Sequence, residues 1–483
     1  MKEITIIYNE TKVRNSMNKF IRKFKENFIG DAAFYKMILF IALPILIQNG
    51  ITSFVGLLDN IMVGQLGTEQ MSGVAIVNQL ITVYNICIFG ALSAASIFGS
   101  QFFGQGNHEG VRNTFRFKFI SCTILTALSV LLFLSAGDEL INLFLHDDGT
   151  SDLVATHAAG MKYLKIMIIG LIPYVFTQIY SSTLRETGQT LLPMFAGIVA
   201  VFANLILNYL LIFGNFGFPQ LGIAGAAIGT IASRFVEAGI VLIWTHSNTH
   251  KNVFIRKAYS SLKIPANLVK QIFIKGTPLL MNEALWSAGQ AILVQCYSTR
   301  GLNAVAALNI STTVSNLFNI VFIALGSALS IVVGQQLGAG EKKKAVDTDR
   351  KMIFFSVASC VVVGAILFTL APLFPEIYNT SDTIRKLATN LIRISSLFMP
   401  LYAFYHAAYF TLRSGGKTII TFLFDSCYIW VINIPFAFIL SRFTDISLID
   451  IFFYCQLIEV FKAVLGFILL KKKIWVNNIV SSV

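Results

Sequence analysis

The chain has 483 residues, 55% of them hydrophobic and 13% charged, with a mean hydropathy of +0.71 and a formal net charge of +13. A soluble domain carries about 25% charged residues, so this composition excludes a soluble enzyme and defines an integral membrane protein. The basic excess does not point to nucleic acid, because no basic patch interleaves with aromatic residues outside the apolar stretches. The cysteines (Cys87, Cys122, Cys296, Cys360, Cys427 and Cys455) all lie in apolar runs without a CxxC pair, which reads as buried thiols rather than disulfides or metal ligands.

In chain order, residues 1–35 form a polar, basic segment without a signal-peptide pattern. Its Lys12, Arg14, Lys19, Arg22, Lys23 and Lys25 alternate with Phe20, Phe24 and Phe28, so it is either a helix lying on the membrane surface or a disordered tail. A spanning helix needs about 20 apolar residues. Such stretches run over 37–62, 72–100, 118–137, 162–184, 190–213 and 221–246, and again over 271–296, 305–334, 352–371, 388–412, 418–440 and 448–470. The expected organisation is an N-lobe (36–246), a basic, partly amphipathic linker (247–270) suited to a surface helix, a C-lobe (271–471) and a tail (472–483). Lysine and arginine gather in alternate loops, among them Arg112 and Arg116, Lys342 to Lys344, and Lys471 to Lys473. The intervening loops hold acids such as Asp138, Asp147, Glu376 and Asp445. By the positive-inside rule both termini are expected on the cytoplasmic side.

The chain repeats itself. Residues 44–118 align with 278–352 without a gap at an offset of 234. Pro44 matches Pro278, Ile97 matches Ile331, Gln101 matches Gln335, Gly104-x-Gly106 matches Gly338-x-Gly340, and Arg116 matches Arg350. Farther on, Leu184-Arg185-x-x-Gly188-x-Thr190 is echoed by Leu412-Arg413-x-x-Gly416-x-Thr418 at an offset of 228. Two same-orientation halves relate by a pseudo-two-fold axis along the membrane normal, an arrangement typical of transporters with a site between the halves.

Ionisable groups inside lipid are costly and mark function. Asp59, 15 residues after Pro44, falls near the far end of the first span; an interfacial position is the plain alternative. Asn204 and Asn208, four apart on the fifth span, share one face, where Asn60 can approach them. Such amides can coordinate a cation or hydrogen-bond a carboxylate, or they can simply join helices. Thr230, early in the sixth span, is a further candidate. Glu283 lies early in the seventh span, suited to an aqueous cavity or to local capping. Gln48, Asn78, Asn309 and Asn316 add polar groups, and Trp286 and Tyr405 offer aromatic faces to planar or cationic substrates. His406 is either part of a relay or a helix–helix hydrogen bond. Glu237 with Arg234, and Glu459 with Lys462, have the spacing of locally neutralised pairs. No GxxxxGK[ST], HExxH or metal-ligand spacing occurs, so the energy source is expected to be an ion gradient, with no cofactor and no enzymatic activity.

At these residues the chain resembles the multidrug and toxic compound extrusion (MATE) family. The resemblance covers about residues 37–470 and rests on ordered runs: Ala42-Leu-Pro44, Val55-x-x-x-Asp59-x-x-x-Val63-Gly64, Gly99-Ser-Gln101-x-x-Gly104-x-Gly106, Asn204-x-x-x-Asn208, Gly276-x-Pro278 and Gly334-Gln335-x-x-Gly338-Ala-Gly340. It implies an all-α membrane protein of twelve helices in two six-helix lobes around a V-shaped cavity. It also implies export of organic cations or amphipathic compounds in exchange for Na⁺ or H⁺. Asp59, Asn204 and Asn208 match the family's N-lobe ion-coupling network and would form any Na⁺ site, although some relatives carry a second carboxylate where this chain has Asn208. Glu283 matches the seventh-span acid approximately, and would neutralise cationic cargo or take part in coupling. A bacterial plasma-membrane monomer is the expected setting. The competing readings are a lipid-linked oligosaccharide flippase, for which the spans hold too few Arg and Lys, and a non-transporting membrane scaffold or receptor.

Overall fold

The computed structural model describes residues 17–19, 21–145, 152–378 and 380–481, with the side chains of Leu57 and Asn60 outside the description. Twelve long helices dominate the described residues: α1 Ala32–Gly64, α2 Thr68–Gly104, α3 His108–Asn142, α4 Leu153–Glu186, α5 Leu191–Phe213 and α6 Ile223–Ser247, then α7 Ala266–Ser298, α8 Leu302–Gly338, α9 Lys342–Leu370, α10 Asp382–Ser414, α11 Thr418–Phe443 and α12 Leu448–Lys471. Among the described residues, eleven helices are long and apolar enough to cross a membrane. The exception, α7, is interrupted by Asn282, Glu283, Gln290 and Gln295, the polar content expected of a helix that lines a cavity. Side chains cap several starts: Asp31 accepts from Phe34 N (2.7 Å) and Asn107 from Gly110 N (2.8 Å), satisfying amides that have no partner inside the helix.

The sequence repeat reappears as repeated geometry. The turns after α2 and α8 place Gly106 at φ 76° and Gly340 at φ 79°, a left-handed conformation that a side chain would strain. Two residues before each, the halves touch. A Cβ on Gly104 would collide with the backbone of Gln335, and one on Gly338 with the backbone of Gln101. The glutamines complete the seam: Gln101 Nε2 donates to Ser414 O at 2.9 Å, and Gln335 Nε2 donates to Glu186 O at 2.8 Å. Glu186 and Ser414 are themselves repeat partners at the offset of 228. These paired contacts therefore follow the pseudo-two-fold axis, and only the C-terminal tail, bonded to Gln101, departs from it.

Both ends of the described chain pack at this seam end of the bundle. Phe24 and Phe28 contact Phe354 with ring centroids 5.5 and 5.7 Å away, and Arg350 Nε donates to Asn27 O at 2.7 Å. The N-terminal segment is thus helical and docked over its described part; Lys12 and Arg14 lie outside the described residues. Arg116, the repeat partner of Arg350, does the matching task on the other half, donating to the carbonyls of Lys257 and Ala258 at 2.8 Å each. Those carbonyls belong to the interlobe segment, where a surface helix was expected. The segment instead folds as turns around a short 3₁₀ element, Val253–Ile255, with Phe254, Ile255 and Ala258 buried in the N-lobe core. A positive φ of 56° at Lys257 and Pro265 at the start of α7 prevent a continuous helix. The C-terminal tail straps the seam: Trp475 is buried in a core built from α1, α8, α9 and α10 with Phe424 of α11, while Ile479 and Val480 join the N-lobe core. Ile479 N donates to Gln101 Oε1 at 2.8 Å, and Asn478 Nδ2 to Gly338 O at 3.1 Å.

Candidate ion and substrate sites

Asp59 lies near the end of α1 away from the seam, about 22 Å along the helix from Pro44 at 1.5 Å per residue. Small residues on α6 set its surroundings. In Gly225-x-x-x-Gly229 a Cβ at the first glycine would collide with Leu211 O of α5, and one at the second with Oδ1 of Asn208, so the two helices approach closely. This pushes the polar face of α5 toward α1. Asn208 Nδ2 donates to Asp59 Oδ1 at 2.8 Å. Asn204 is satisfied when its amide is turned so that its nitrogen lies 2.9 and 3.2 Å from the two oxygens of Asp59; its oxygen then faces the Thr230 hydroxyl at 3.3 Å. Asp59, Asn204, Asn208 and Thr230 therefore form one cluster joining α1, α5 and α6.

The buried Oδ1 of Asn208 has no hydrogen-bond partner among the described residues. With the carboxylate of Asp59, the amide oxygen of Asn204 and the hydroxyl of Thr230, it makes an all-oxygen set, the donor chemistry that hard cations prefer. The same carboxylate can take a proton, which would convert one accepting oxygen into a donor and break one of its amide bonds. The side chain of Asn60 lies outside the described residues.

The substrate candidates divide. Trp286, Asn316, Tyr405 and His406 line a C-lobe cavity of about 760 Å³, together with groups from α1, α7, α8, α10, α11 and α12. Glu283 does not reach its wall; its Oε1 accepts from Tyr409 Oη at 2.9 Å. Gln48 is engaged inside the N-lobe, accepting from Arg185 Nη2 at 2.7 Å. Asn78 is half-buried on α2 and Asn309 is exposed on α8, and neither is on the cavity wall.

Both proposed local pairs are corrected. Lys462 does not pair with Glu459 but with Asp425 of α11, at 2.8 Å, and its ammonium also lies 4.4 Å over the ring of Tyr405. The cross-helix partner wins because Asp425, further fixed by Asn282 Nδ2 at 3.0 Å, projects from a neighbouring helix directly at Nζ. Arg234 turns from Glu237 toward Gly170 O (3.2 Å) and the ring of Tyr174 (5.1 Å). Tyr402, whose ring the sequence also offers as an aromatic face, lies on the wall, while sequence reasoning missed Asn433 and Gln456 as cavity groups and read Glu459 only as half of a local pair. The available signal was the run of polar residues within the last two spans, which local pairing explained away.

Two repeated six-helix halves, closed on each other at one end and holding an intramembrane carboxylate and a polar cavity, define a multi-pass membrane transporter. The MatE family model matches residues 44–210 and again 278–439, so the chain belongs to the MATE family of efflux transporters. It is 28% identical over 423 residues to the probable multidrug resistance protein NorM of Thermotoga maritima, covering 86% of this chain and 87% of that one. It is 25% identical over 418 residues to the probable multidrug resistance protein YoeA of Bacillus subtilis, covering 84% and 87%. Among solved structures, a Vibrio cholerae MATE transporter, VcmN, in mutant form superposes with a TM-score of 0.83 at 17% identity, covering 92% of this chain and 98% of that one. An outward-facing multidrug resistance MATE family transporter gives 0.81 at 19% identity, with coverage of 92% and 96%. These likenesses show the twelve-helix, two-lobe fold.

Proposed function

We propose that the chain is a secondary antiporter that exports organic cations or amphipathic drugs and metabolites in exchange for Na⁺ or H⁺ taken up at Asp59. The observation that carries this reading is the Asp59 cluster: a carboxylate held by Asn208 at 2.8 Å, beside an amide oxygen with no partner of its own. The protein sits in a bacterial plasma membrane as a monomer, with both termini cytoplasmic and the lobes at 36–246 and 271–471 moving as units. In that orientation the Gly104–Gln335 and Gly338–Gln101 contacts form a cytoplasmic gate, closed in this state.

An ion can drive the exchange only by binding one state better than the other. A cation at Asp59 would draw in Asn208 Oδ1 and rearrange the bonds between α1 and α5, which biases the N-lobe. The test is efflux of a fluorescent organic cation from vesicles under separately imposed sodium and proton gradients, with Asp59→Asn alongside. Efflux under one gradient, lost in the variant, supports the reading and assigns the ion. Absence of flux under both gradients from folded protein refutes it and favours a lipid-linked substrate.

A further inference from the structure

Three buried polar atoms of residues lining the C-lobe cavity have no hydrogen-bond partner among the described residues: Glu459 Oε2, Asn433 Oδ1 and Ser315 Oγ. Two of them can only accept. Glu459 is 8% exposed and Asn433 4%, and Asn433 Nδ2 donates to the other Glu459 oxygen, so both acceptors belong to one bonded unit. The nearby ammonium of Lys462 is already given to Asp425 at 2.8 Å. His406 adds a third acceptor. Its Nδ1 lies 3.0 Å from the carbonyl of Tyr402 and must donate to it, which leaves Nε2 with a lone pair in the neutral ring.

The backbone is shaped to present this unit. Over Leu423–Cys427 and Ile429–Asn433, α11 is wound with i→i+5 hydrogen bonds, a widening frequent at functional sites. Helix α12 carries a one-residue irregularity at Ile458, just before Glu459, where the Ile458 carbonyl accepts both from Phe461 N at 3.1 Å and from Tyr428 Oη at 2.6 Å. A buried carboxylate oxygen without a partner is costly; a ligand bringing a positive N–H group would offset that cost.

We propose that Glu459 and Asn433 recognise the head of a protonated organic cation that carries N–H donors (a primary or secondary ammonium, or an amidinium), with its apolar body against Tyr402, Tyr405 and Phe452. This rests on the cation-export reading above and deepens it: the cargo is selected by hydrogen bonding as well as charge, and its counter-charge is Glu459 rather than Glu283. A permanent cation lacking N–H would leave the acceptors unmatched, and a site built on hydrogen bonds discriminates strongly against such analogues.

The test uses the full chain in nanodiscs with no ion gradient and two matched probes, dansylcadaverine and its trimethylammonium analogue, titrated by fluorescence with empty discs subtracted. The primary ammonium is expected to bind at least tenfold tighter, and Glu459→Gln to remove most of that preference. Glu459→Asp, which keeps the charge, should retain it if the amide variant does not fold. Equal affinity of the two probes in the unmodified protein overturns the proposal without any variant. Binding preference without gradient-driven flux would leave this site standing and sink the antiport reading; flux indifferent to N–H content and to Glu459 would do the reverse.

Discussion

Gly229→Ala tests the ion site without touching an ion ligand. An added methyl would collide with Oδ1 of Asn208, and the backbone behind it, on α5, cannot give way easily. The Asn208 amide must swing away, breaking its 2.8 Å bond to Asp59 and withdrawing the free oxygen. That hydrogen bond holds the unloaded carboxylate and is given up when a proton binds, so its loss, worth about 1.5–3 kcal/mol, should lower the proton concentration for half-maximal efflux roughly 10- to 150-fold at about 1.4 kcal/mol per decade, whereas withdrawing Asn208 Oδ1 removes a sodium ligand and should raise the sodium requirement. The control lies on the same helix: Gly239 has nothing within 4 Å of an added Cβ, and Gly239→Ala should leave the ion dependence unchanged. The assay is efflux against graded Na⁺ and H⁺, with dansylcadaverine binding confirming that the C-lobe is intact. Unchanged ion dependence in a folded Gly229→Ala protein would refute the argument that the close approach of α6 positions Asn208.

Asp425→Asn and Lys462→Met should each lower the melting temperature, since removing one partner of a buried ion pair costs about 3–5 kcal/mol; the double variant should recover much of the loss, and additive losses would mean the pair does not act as a unit. Gly104→Ala forces a methyl against the Gln335 backbone and should open the seam, read as a longer label-to-label distance between His108 and Glu341 in a cysteine-free background; an unchanged distance distribution would show that the contact does not hold the lobes. Truncation after Lys473 removes Trp475, Ile479 and the bonds to Gln101 and Gly338, and should shift the same distance distribution in the same direction.

The twelve helices and their pairing were legible because lipid demands long apolar helices and because the repeat prints each boundary twice. Asp59 with Asn204 and Asn208 was legible too: a carboxylate in an apolar run is conspicuous, and a four-residue spacing fixes a common face. Thr230 and Gly229 complete that site through helix approach, which spacing alone does not show. The C-lobe was less legible. Lys462 has an acid three residues away on its own helix and another on a different helix, and the linear spacing pointed to Glu459 while the fold delivered Asp425. The widened coil of α11, which turns Asp425 and Asn433 toward α12, carries no proline or glycine in Leu423–Asn433 to announce it. The interlobe segment misled for a similar reason, since amphipathic composition is satisfied equally by turns pinned under Arg116.

The repeat also divides the protein by task. Residues that kept their identity across the offset of 234, such as Gln101 with Gln335, Gly104 with Gly338 and Arg116 with Arg350, do equivalent structural work at the seam end. The two intramembrane acids nearest the repeated prolines have no acidic counterparts. Asp59 corresponds to Leu293, and Glu283 to Asn49; both counterparts line the C-lobe cavity. A leucine where the other half has the carboxylate of the proposed ion site leaves the C-lobe position without that chemistry, and it joins an aromatic, acceptor-bearing cavity instead. On the antiport reading proposed above, symmetry at the seam would let the lobes part about one axis, while asymmetry beyond it would give one lobe the ion site and the other the cavity for cargo. Coupling would then need no contact between ion and substrate: each would have only to bias the same shared seam.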